Sequence, residues 1–367
     1  MAMTSLPDLD APLEPARGPV RAEPLPAHRP VRWGILATGA IAHTFVRDLQ
    51  LLEDCEVVAV GSRRQESADA FAAEHRVPAS YGDYRRLVED PAVDVVYVAS
   101  PHALHRDHVE LALDAGKAVL CEKSITLTAA DAEHLAALAH ERGLFLMEAM
   151  WMRCHPLVRR LRQLAGSGAL GEVRQVHAHL GFVADRPATD RLLDPALGGG
   201  ALLDMGVYPL TFASLFLGEP STVTAAATLS AVGTDVDIAV ALGYGSGAVA
   251  AVTSSLTSWS PRTATICTDR GRVDVPAPFH HPPEVTWTAL DGSDPRVPAA
   301  PLRLREEVIG RGYAHEALEV VRCLRAGETE SPLVPLADTV ALMRQMDAIR
   351  AQTGVRYEAD DRARPAG

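Results

Sequence analysis

The chain has few cysteines, and they are not arranged in pairs. The 367 residues include five cysteines, at positions 55, 121, 154, 267 and 323, without a CxxC motif. Scattered cysteines argue against a zinc module or a disulfide scaffold and are typical of a reducing compartment. No apolar run approaches the roughly 18 residues of a membrane span, and the N-terminus lacks a signal-peptide pattern. We therefore expect a cytoplasmic protein.

Positive charge is also scarce. Lysine and arginine together number 35 against 47 acidic residues, and the net charge is −12. Nucleic acids and anionic membranes would repel such a surface, so we expect neither as a partner. Hydrophobic residues make up 47% of the chain, which is typical of a globular protein with one large or two smaller domains.

The two ends of the chain differ from the rest. Residues 1–30 contain seven prolines and show no apolar periodicity, which predicts an extended or flexible arm. An alternative is that this arm packs along a neighbouring subunit. We expect residues 358–367 to form a tail.

From residue 31 onward, strands and helices alternate. Apolar runs predict strands at 31–36, 55–61, 93–99, 118–121 and 144–149. The intervening segments predict helices at 40–51, 65–75, 83–89, 106–115 and 128–142. Repeated strand–helix units indicate a doubly wound parallel sheet. Residues 31–152 are therefore predicted to be a Rossmann domain of the α/β class.

The pattern changes after residue 152. Long alternating segments rich in β-branched residues occupy 172–184, 221–231, 235–244, 247–257, 262–268 and 271–276. We therefore predict that residues 153–357 form an α+β domain, a mostly antiparallel open sheet with helices. The helices are expected at 156–167, at about 201–217 after a glycine-rich loop, and twice within 312–353. Because an exposed apolar sheet of this size promotes association, we expect a homodimer or higher homo-oligomer through it.

The turn after the first strand indicates a dinucleotide site. Small residues there let backbone N–H groups approach a pyrophosphate at a helix N-terminus. The match to the G-x-G-x-x-G/A fingerprint is imperfect, because its three positions hold Ala37, Gly39 and Ala42. A tight turn without a ligand is the alternative. We assign to the cofactor Ala37, Thr38, Gly39, Ala40 and Ile41.

The end of the second strand bears on which dinucleotide binds. Ser62, Arg63 and Arg64 stand where an NAD-binding protein places an acidic residue. Because arginine accommodates a 2′-phosphate, the sequence favours NADP(H). The alternative is that both arginines are solvated at a strand end.

The loop after the third long strand follows the same edge of the sheet. Ligands of parallel sheets bind beyond the carboxyl ends of the strands. We therefore predict cofactor contacts for the residues of this loop, Ser100, Pro101, His102 and His105. The alternative for His105 is a polar surface residue in the first turn of a helix.

Three residues could carry the chemistry. Lys123 ends a strand after Glu122, where it can hydrogen-bond a substrate hydroxyl and relay a proton. Asp204 and Tyr208 are four residues apart on a predicted helix and so project from one face. They suit orienting and deprotonating a carbinol. The alternatives are a solvated lysine, and a half-buried tyrosine with an aspartate near a helix start.

Together these stretches resemble the Gfo/Idh/MocA family, the glucose–fructose oxidoreductases and inositol dehydrogenases. The resemblance runs from Val31 to Gly354. It rests on residues 34–42, 62–63, 121–123, 145–153, 199–208 and 330–332. Within the family, these residues are most similar to the dimeric dihydrodiol dehydrogenases and the NADP-dependent xylose dehydrogenases.

The resemblance implies an activity and a set of roles. Lys123 falls on the lysine of the family's Glu-Lys-Pro motif, which is expected to contact the substrate hydroxyl and the nicotinamide ribose. Tyr208 stands where most members have histidine, and in the dihydrodiol dehydrogenase branch a tyrosine there is the acid/base. Asp204 is expected to orient the substrate or the tyrosine. Trp151 and Arg153 match a Trp-x-Arg motif that shapes the cleft, and we assign both, with Glu122, to the cofactor.

The expected reaction is hydride transfer between NADP(H) and a secondary alcohol or carbonyl of a sugar, cyclic vicinal diol or ketone, without a metal. Two departures matter: Ser124 replaces the proline of Glu-Lys-Pro, and Ala37 replaces the first glycine of the fingerprint. They leave a non-catalytic NADP-binding regulator as an alternative. A reductase of a nucleotide-sugar or natural-product ketone is another.

Overall fold

The computed structural model describes residue 19 and residues 22–291, 294–357 and 359–362. Its helices are α1 (Ala40–Leu49), α2 (Gln65–His75), α3 (Tyr84–Val88), α4 (His105–Asp114), α5 (Ala129–Arg142), α6 (Pro156–Gly166), α7 (Val207–Leu217), α8 (Tyr313–Ala326), α9 (Leu336–Thr353) and α10 (Ala359–Arg362).

The first sheet is wholly parallel. Its strands are β1 (Val31–Leu36), β2 (Cys55–Gly61), β3 (Ala79–Tyr81), β4 (Val95–Val98), β5 (Ala118–Glu122) and β6 (Leu146–Ala149). Their order in the sheet is β3-β2-β1-β4-β5-β6, which is the order of the dinucleotide-binding fold. The predicted doubly wound parallel sheet is thereby confirmed, and β2 and α2 have the predicted bounds. The three-residue strand β3 was not predicted.

Local sequence explains why these elements begin and end where they do. All residues of β4 and β5 are buried, as expected for strands covered on both faces by helices. Thr128 caps the N-terminus of α5, because its hydroxyl accepts a hydrogen bond from the backbone N–H of Asp131. The helix ends at Gly143, which takes the left-handed conformation that glycine adopts at little cost.

The second sheet is mostly antiparallel. Its strands are β7 (Val173–Gly181), β8 (Thr222–Leu229), β9 (Asp235–Gly243), β10 (Val249–Ser255), β11 (Ala264–Thr268), β12 (Gly271–Val275), β13 (Val285–Asp291), β14 (Asp294–Pro298) and β15 (Leu302–Leu304). The order is β14-β13-β12-β11-β7-β10-β9-β8, with β15 on β13. The pair β7–β10 is parallel and the others are antiparallel. The predicted fold class is confirmed, although β13, β14 and β15 were not predicted.

The two faces of the second sheet differ. Helices α7 and α9 pack on one face, against β7 and β8. On the other face, the three strands at one end of the sheet, β10, β9 and β8, present small side chains that are exposed in the single chain, among them Ala226, Ala239, Ala241 and Ala251. These alanines are neighbours across β8, β9 and β10. They form a flat, weakly polar surface, which we call the alanine face.

One segment has the length and composition of a membrane span. It covers the 23 residues Pro195–Leu217, and its most apolar 18-residue window has a mean hydropathy of 1.4. However, 72% of its most apolar window is buried inside the protein. The segment is therefore part of the protein core. Its second half is α7, which packs against the second sheet.

Residues 22–30 form neither a helix nor a strand and pack against their own chain. The backbone N–H groups of Ala22 and Leu25 donate to the carbonyls of Gly327 and Leu324, at the end of α8. Arg29 forms an ion pair with Asp94 at 2.6 Å. The rest of the predicted arm, apart from residue 19, and most of the predicted tail lie outside the described residues.

Candidate active site

The carboxyl ends of β1, β2 and β4 border a cavity of about 620 Å³. We call it the first cavity. It is lined by Ala37, Thr38, Gly39, Ser62, Arg63, Arg64, Ser67, Tyr84, Ala99, Ser100, Pro101 and Leu104. The structure therefore gathers the predicted turn, the predicted arginines and the predicted loop at one edge of the sheet, where parallel folds bind their ligands.

The turn at Ala37 presents an open helix N-terminus to this cavity. Gly39 precedes α1 without a side-chain cap, and the first turn of α1 contains no acidic residue. The helix end is therefore available to an anion. Ala37 has a φ of +81°, a left-handed conformation that costs a non-glycine residue roughly 1–2 kcal/mol. The alanine thus adopts the geometry for which the fingerprint normally uses glycine.

Two arginines lie at the rim of the first cavity. Arg63 and Arg64 are exposed and follow the buried Ser62 at the end of β2. The guanidinium of Arg64 donates to the Ser67 hydroxyl at 3.2 Å. This gives the rim two positive charges about where a 2′-phosphate on the adenosine ribose would lie.

A second cavity of about 310 Å³ adjoins the first and shares Gly39, Ala99, Ser100 and Pro101 with it. Its other lining residues are Ala40, Ile41, His102, His105, Glu122, Lys123, Trp151, Arg191, Asp204, Tyr208 and Tyr313. The structure thus brings the three predicted chemical residues, Lys123, Asp204 and Tyr208, into one cavity.

Lys123 lies between β5 and the segment that carries Asp204. Its Nζ donates to the backbone carbonyl of Asp204 at 2.6 Å and lies 3.7 Å from the carboxylate Oδ1. The same ammonium lies 4.9 Å from the centre of the Tyr208 ring. The Lys123–Ser124 peptide bond is cis. The Ser124 hydroxyl donates to the carbonyl of Leu203, so the residue that replaces proline connects the two segments.

The segment that carries Asp204 is not α-helical. Residues Leu202–Gly206 form a π-helical turn that leads into α7, a feature frequent at functional sites. Pro209, five residues after Asp204, has no N–H with which to close a π-type bond to the Asp204 carbonyl. Lys123 donates to that carbonyl instead.

Asp204 is an ionised carboxylate between two cations. Arg191 donates to its Oδ1 at 3.0 Å, and the Lys123 Nζ lies 3.7 Å from the same oxygen. Burial alone would raise the pKa of Asp204, but Lys123 and Arg191 outweigh burial and hold the pKa well below its usual value. Asp204 therefore orients the two cations at the cavity wall.

Tyr208 is a neutral phenol whose oxygen is already bonded. The indole Nε1–H of Trp151 donates to the Tyr208 hydroxyl oxygen at 2.7 Å. Because an indole N–H can only donate, Tyr208 accepts this bond and keeps its own proton for another acceptor. Burial raises the pKa of Tyr208 well above its ordinary value. The Trp151 ring is itself stacked on Tyr313, with ring centres 4.4 Å apart.

The predicted histidines support the cavity wall. His105 is completely buried, and its ring nitrogens lie 2.7 Å from the Ser100 carbonyl and 2.9 Å from the Ser124 carbonyl. Burial lowers the pKa of His105 to about 3. The His102 nitrogens lie 3.0 Å from the Gly198 carbonyl and 3.1 Å from the Lys123 carbonyl. Both rings hold loops together beside the cavity.

Glu122 and Arg153 differ in position. Glu122 lines the second cavity and accepts a hydrogen bond from the buried Tyr97 hydroxyl. Arg153, by contrast, donates to the Leu333 carbonyl and the Asp338 carboxylate near the start of α9. It lines neither cavity. The predicted contact of Arg153 with the cofactor is therefore not supported by its position.

Several lining residues were not predicted. Arg191 comes from a loop without regular structure, and Tyr313 begins α8, more than a hundred residues after the other site residues. Tyr84 and Ser67 come from the helices that follow β3 and β2. The local signal for Arg191 was its own positive charge, seven residues before the glycine-rich loop at Gly198.

Comparison with known proteins agrees with this geometry. Residues 31–150 match the model of an oxidoreductase family with an NAD-binding Rossmann fold, and residues 158–274 match the GFO/IDH/MocA C-terminal domain. The chain is 37% identical over 335 residues to the trans-1,2-dihydrobenzene-1,2-diol dehydrogenase of Sus scrofa. This alignment covers 90% of this chain and 99% of that protein.

Solved structures agree in fold over most of their length. A 3-ketoreductase from Actinomadura kijaniata, in complex with NADP and TDP-benzene, superposes with a TM-score of 0.78 at 28% identity, covering 88% of this chain and 98% of that one. An aldose-aldose oxidoreductase from Caulobacter crescentus, complexed with glycerol, gives 0.78 at 26% identity, covering 89% and 98%. The protein belongs to the Gfo/Idh/MocA family of oxidoreductases.

Proposed function

We propose that the protein is an NADP(H)-dependent oxidoreductase that interconverts a secondary alcohol and a carbonyl on a cyclic vicinal diol or a sugar. The observation that carries the proposal is the continuity of the two cavities. The first has an uncapped helix end and two arginines, and the second has a tyrosine proton donor beside a lysine. A dinucleotide held in the first would place its reactive ring toward the second.

The residues present fit NADP(H). The N-terminus of α1 at Gly39 would hold the pyrophosphate, and Arg63 and Arg64 would hold the 2′-phosphate. When bound, NADP(H) supplies or accepts the hydride. Lys123, Asp204 and Tyr208 are among the polar residues that line the second cavity, in which the substrate would lie.

The chain's own part is to place the substrate and to move one proton. In the direction of reduction, the Tyr208 hydroxyl donates its proton to the substrate oxygen, because the Trp151 indole already occupies an acceptor position on Tyr208. Lys123, held by the Asp204 carbonyl, provides a positive charge that favours the oxygen anion developing at the same place. In the direction of oxidation, the same groups take up the alcohol proton.

The names of the relatives support a cyclic or sugar-like substrate. One is named for a dihydrobenzene diol, and another is an aldose oxidoreductase. The 3-ketoreductase complexed with TDP-benzene keeps a nucleotide-sugar ketone as the second candidate. Arg191, exposed at the mouth of the second cavity, is the cation that a substrate phosphate would meet.

The direct test is a substrate panel with the purified protein. NADPH oxidation and NADP⁺ reduction would be followed at one wavelength with vicinal cyclic diols, aldoses, ketones and a nucleotide-linked keto sugar. We expect turnover on diols or sugars. Turnover on the nucleotide-linked compound alone would favour the second candidate. NADPH binding without turnover on any compound would make the protein a non-catalytic regulator.

We also propose that the protein is a homodimer formed through the alanine face. The alanine face is a surface of small residues on the last three strands of a large sheet. Helices α7 and α9 support the sheet on its other side, and a second copy would cover the alanine face. Cytoplasmic residence is part of the same proposal, because all five cysteines are free thiols.

The dimer proposal predicts that Ala241→Arg yields a monomer. Ala241 pairs with Ala251 on β10 and Thr224 on β8, so a guanidinium there would stand at the centre of the face. Light scattering after size exclusion would measure the mass. The matched control is Ala70→Arg, at an exposed alanine of α2, which should leave the mass unchanged. A wild-type protein that runs as a monomer would contradict the proposal.

A further inference from the structure

Between α1 and α2, three potential metal ligands converge. His43 comes from α1, and Glu74 and His75 end α2. The His43 Nδ1 lies 2.8 Å from the His75 Nε2. The Glu74 Oε1 lies 3.3 Å from the first of these nitrogens and 3.5 Å from the second. Neither cavity of the candidate active site includes any of the three residues.

These separations match the edges of a small coordination polyhedron. Zinc binds imidazole nitrogen at about 2.0–2.1 Å and carboxylate oxygen at about 2.0–2.2 Å in a tetrahedron, so neighbouring ligand atoms lie roughly 3.3–3.4 Å apart. The two distances from the Glu74 oxygen, 3.3 and 3.5 Å, are close to that spacing. The distance of 2.8 Å between the two imidazole nitrogens would have to increase by about half an ångström. A zinc ion would explain why a nitrogen of each imidazole lies close to the same point.

The surroundings hold the ligands in place. Phe71 packs against both imidazoles, with ring centres 4.5 Å from His43 and 4.5 Å from His75. The Gln50 amide donates to the backbone carbonyl of His75 at 2.8 Å. The His75 side chain is only 3% exposed, whereas that of Glu74 is 48% exposed. The cluster therefore has a buried, fixed side and an open side at which a water could complete the coordination.

One neighbour opposes metal binding. Arg47 donates to the same oxygen, Glu74 Oε1, at 3.0 Å. Its guanidinium is 63% exposed, so it can move into solvent when a cation takes the carboxylate. The competing explanation is a plain hydrogen bond between two histidines, accepted and donated without an ion.

We propose that His43, Glu74 and His75 form a binding site for Zn²⁺, with a water as fourth ligand. The site clamps α1 to α2. These helices begin directly after the pyrophosphate turn and after Arg63 and Arg64, respectively, so the clamp fixes the spacing between the two halves of the first cavity. The role is structural and does not depend on the proposed activity.

The test uses the full chain in its metal-free form, with zinc to measure the affinity and Co²⁺ as a spectroscopic substitute. Zinc would be titrated in competition with a chromogenic chelator, and Co²⁺ absorption would report the coordination. We expect one equivalent in the wild type, and an affinity at least tenfold lower in His43→Gln and in Glu74→Gln. The matched control is His134→Gln, because His134 contacts a single carboxylate among the described residues, that of Glu110 at 3.4 Å, and lies outside the cluster. All variants keep the five cysteines, so any thiol binding stays constant.

Two results would overturn the proposal. One is equal zinc affinity in the wild type and in His43→Gln. The other is a wild type that takes up no zinc while its thermal unfolding stays unchanged when the metal is added. His75→Gln removes a buried ring, so its fold would be checked first by circular dichroism. If it does not fold, His43→Gln and Glu74→Gln decide. Because no readout involves NADP(H), failure of the proposed activity leaves this test intact.

Discussion

Replacing Tyr208 by phenylalanine should lower kcat by about 10²–10⁴-fold, the usual worth of a general acid or base. The substitution removes the single proton that the hydroxyl offers, while the ring keeps its packing against Lys123. NADPH affinity should remain within about twofold, because Tyr208 lies in the second cavity and not in the first. Stopped assays at saturating NADPH and substrate would give kcat, and fluorescence titration would give Kd.

Lys123→Met should reduce kcat by a similar order. The variant loses the ammonium that the Asp204 carbonyl holds, and it leaves the Asp204 carboxylate with Arg191 as its remaining cation. Because Lys123 and Tyr208 act on the same substrate oxygen, the kcat of the double variant should be only slightly lower than that of the less active single variant. Fully additive losses would mean that the two residues act on different steps.

Matched substitutions elsewhere separate chemistry from stability. Tyr244 has a buried hydroxyl without a partner among the described residues, so Tyr244→Phe should leave kcat unchanged. Lys117, the other lysine of the chain, donates to the carbonyls of Asp90 and Val93. Lys117→Met should therefore lower thermal stability but not kcat. Nearly full turnover in both Tyr208→Phe and Lys123→Met would show that the proposed roles are wrong.

The parallel sheet was predictable from local sequence. A strand covered on both faces must be apolar throughout, and Val95–Val98 is such a run. Helix ends carried their own signals, as at Thr128 and Gly143. The strands after residue 276 were missed because prolines precede them and because β14 and β15 are short. Their stability comes from pairing with β13, which local periodicity does not report.

The candidate site was predictable only in part. Lys123, Asp204 and Tyr208 were predicted because each follows a strand or a glycine-rich loop and matches a family motif, and the structure places all three in the second cavity. The bond from Trp151 to Tyr208 joins residues 57 positions apart, and no local pattern indicates such a pairing. The π-helical turn at Leu202–Gly206 was expected to be α-helical, because the two forms share the same apolar composition.

Arg153 shows how a short motif misleads. Trp151–Cys154 forms a 3₁₀ turn, in which residues two positions apart point in different directions. Trp151 therefore donates to Tyr208, whereas Arg153 donates to Asp338 in the first turn of α9. Two residues that match a family motif therefore need not have their side chains in the same cavity.

The second large effect concerns the choice of cofactor. Arg63→Ala should weaken NADPH binding by about 10–150-fold and leave NADH binding nearly unchanged. A hydrogen bond to a charged group is worth about 1.5–3 kcal/mol, and each 1.4 kcal/mol is roughly tenfold in Kd. Only NADPH carries the 2′-phosphate that Arg63 would hold at the rim of the first cavity. Titration of each cofactor at two salt concentrations would measure the ratio.

A matched control removes the same charge from nearby. Arg86 on α3 lies over the Tyr81 ring and does not line the first cavity. Arg86→Ala should change NADPH affinity by less than about twofold, and that change should disappear at high salt, as expected for long-range attraction alone. If Arg63→Ala weakened the binding of NADH and NADPH equally, Arg63 would contribute to the shape of the cavity but would not bind the 2′-phosphate. Tighter binding of NADH than of NADPH by the wild type would overturn the assignment of both arginines to the 2′-phosphate, because only NADPH carries that group.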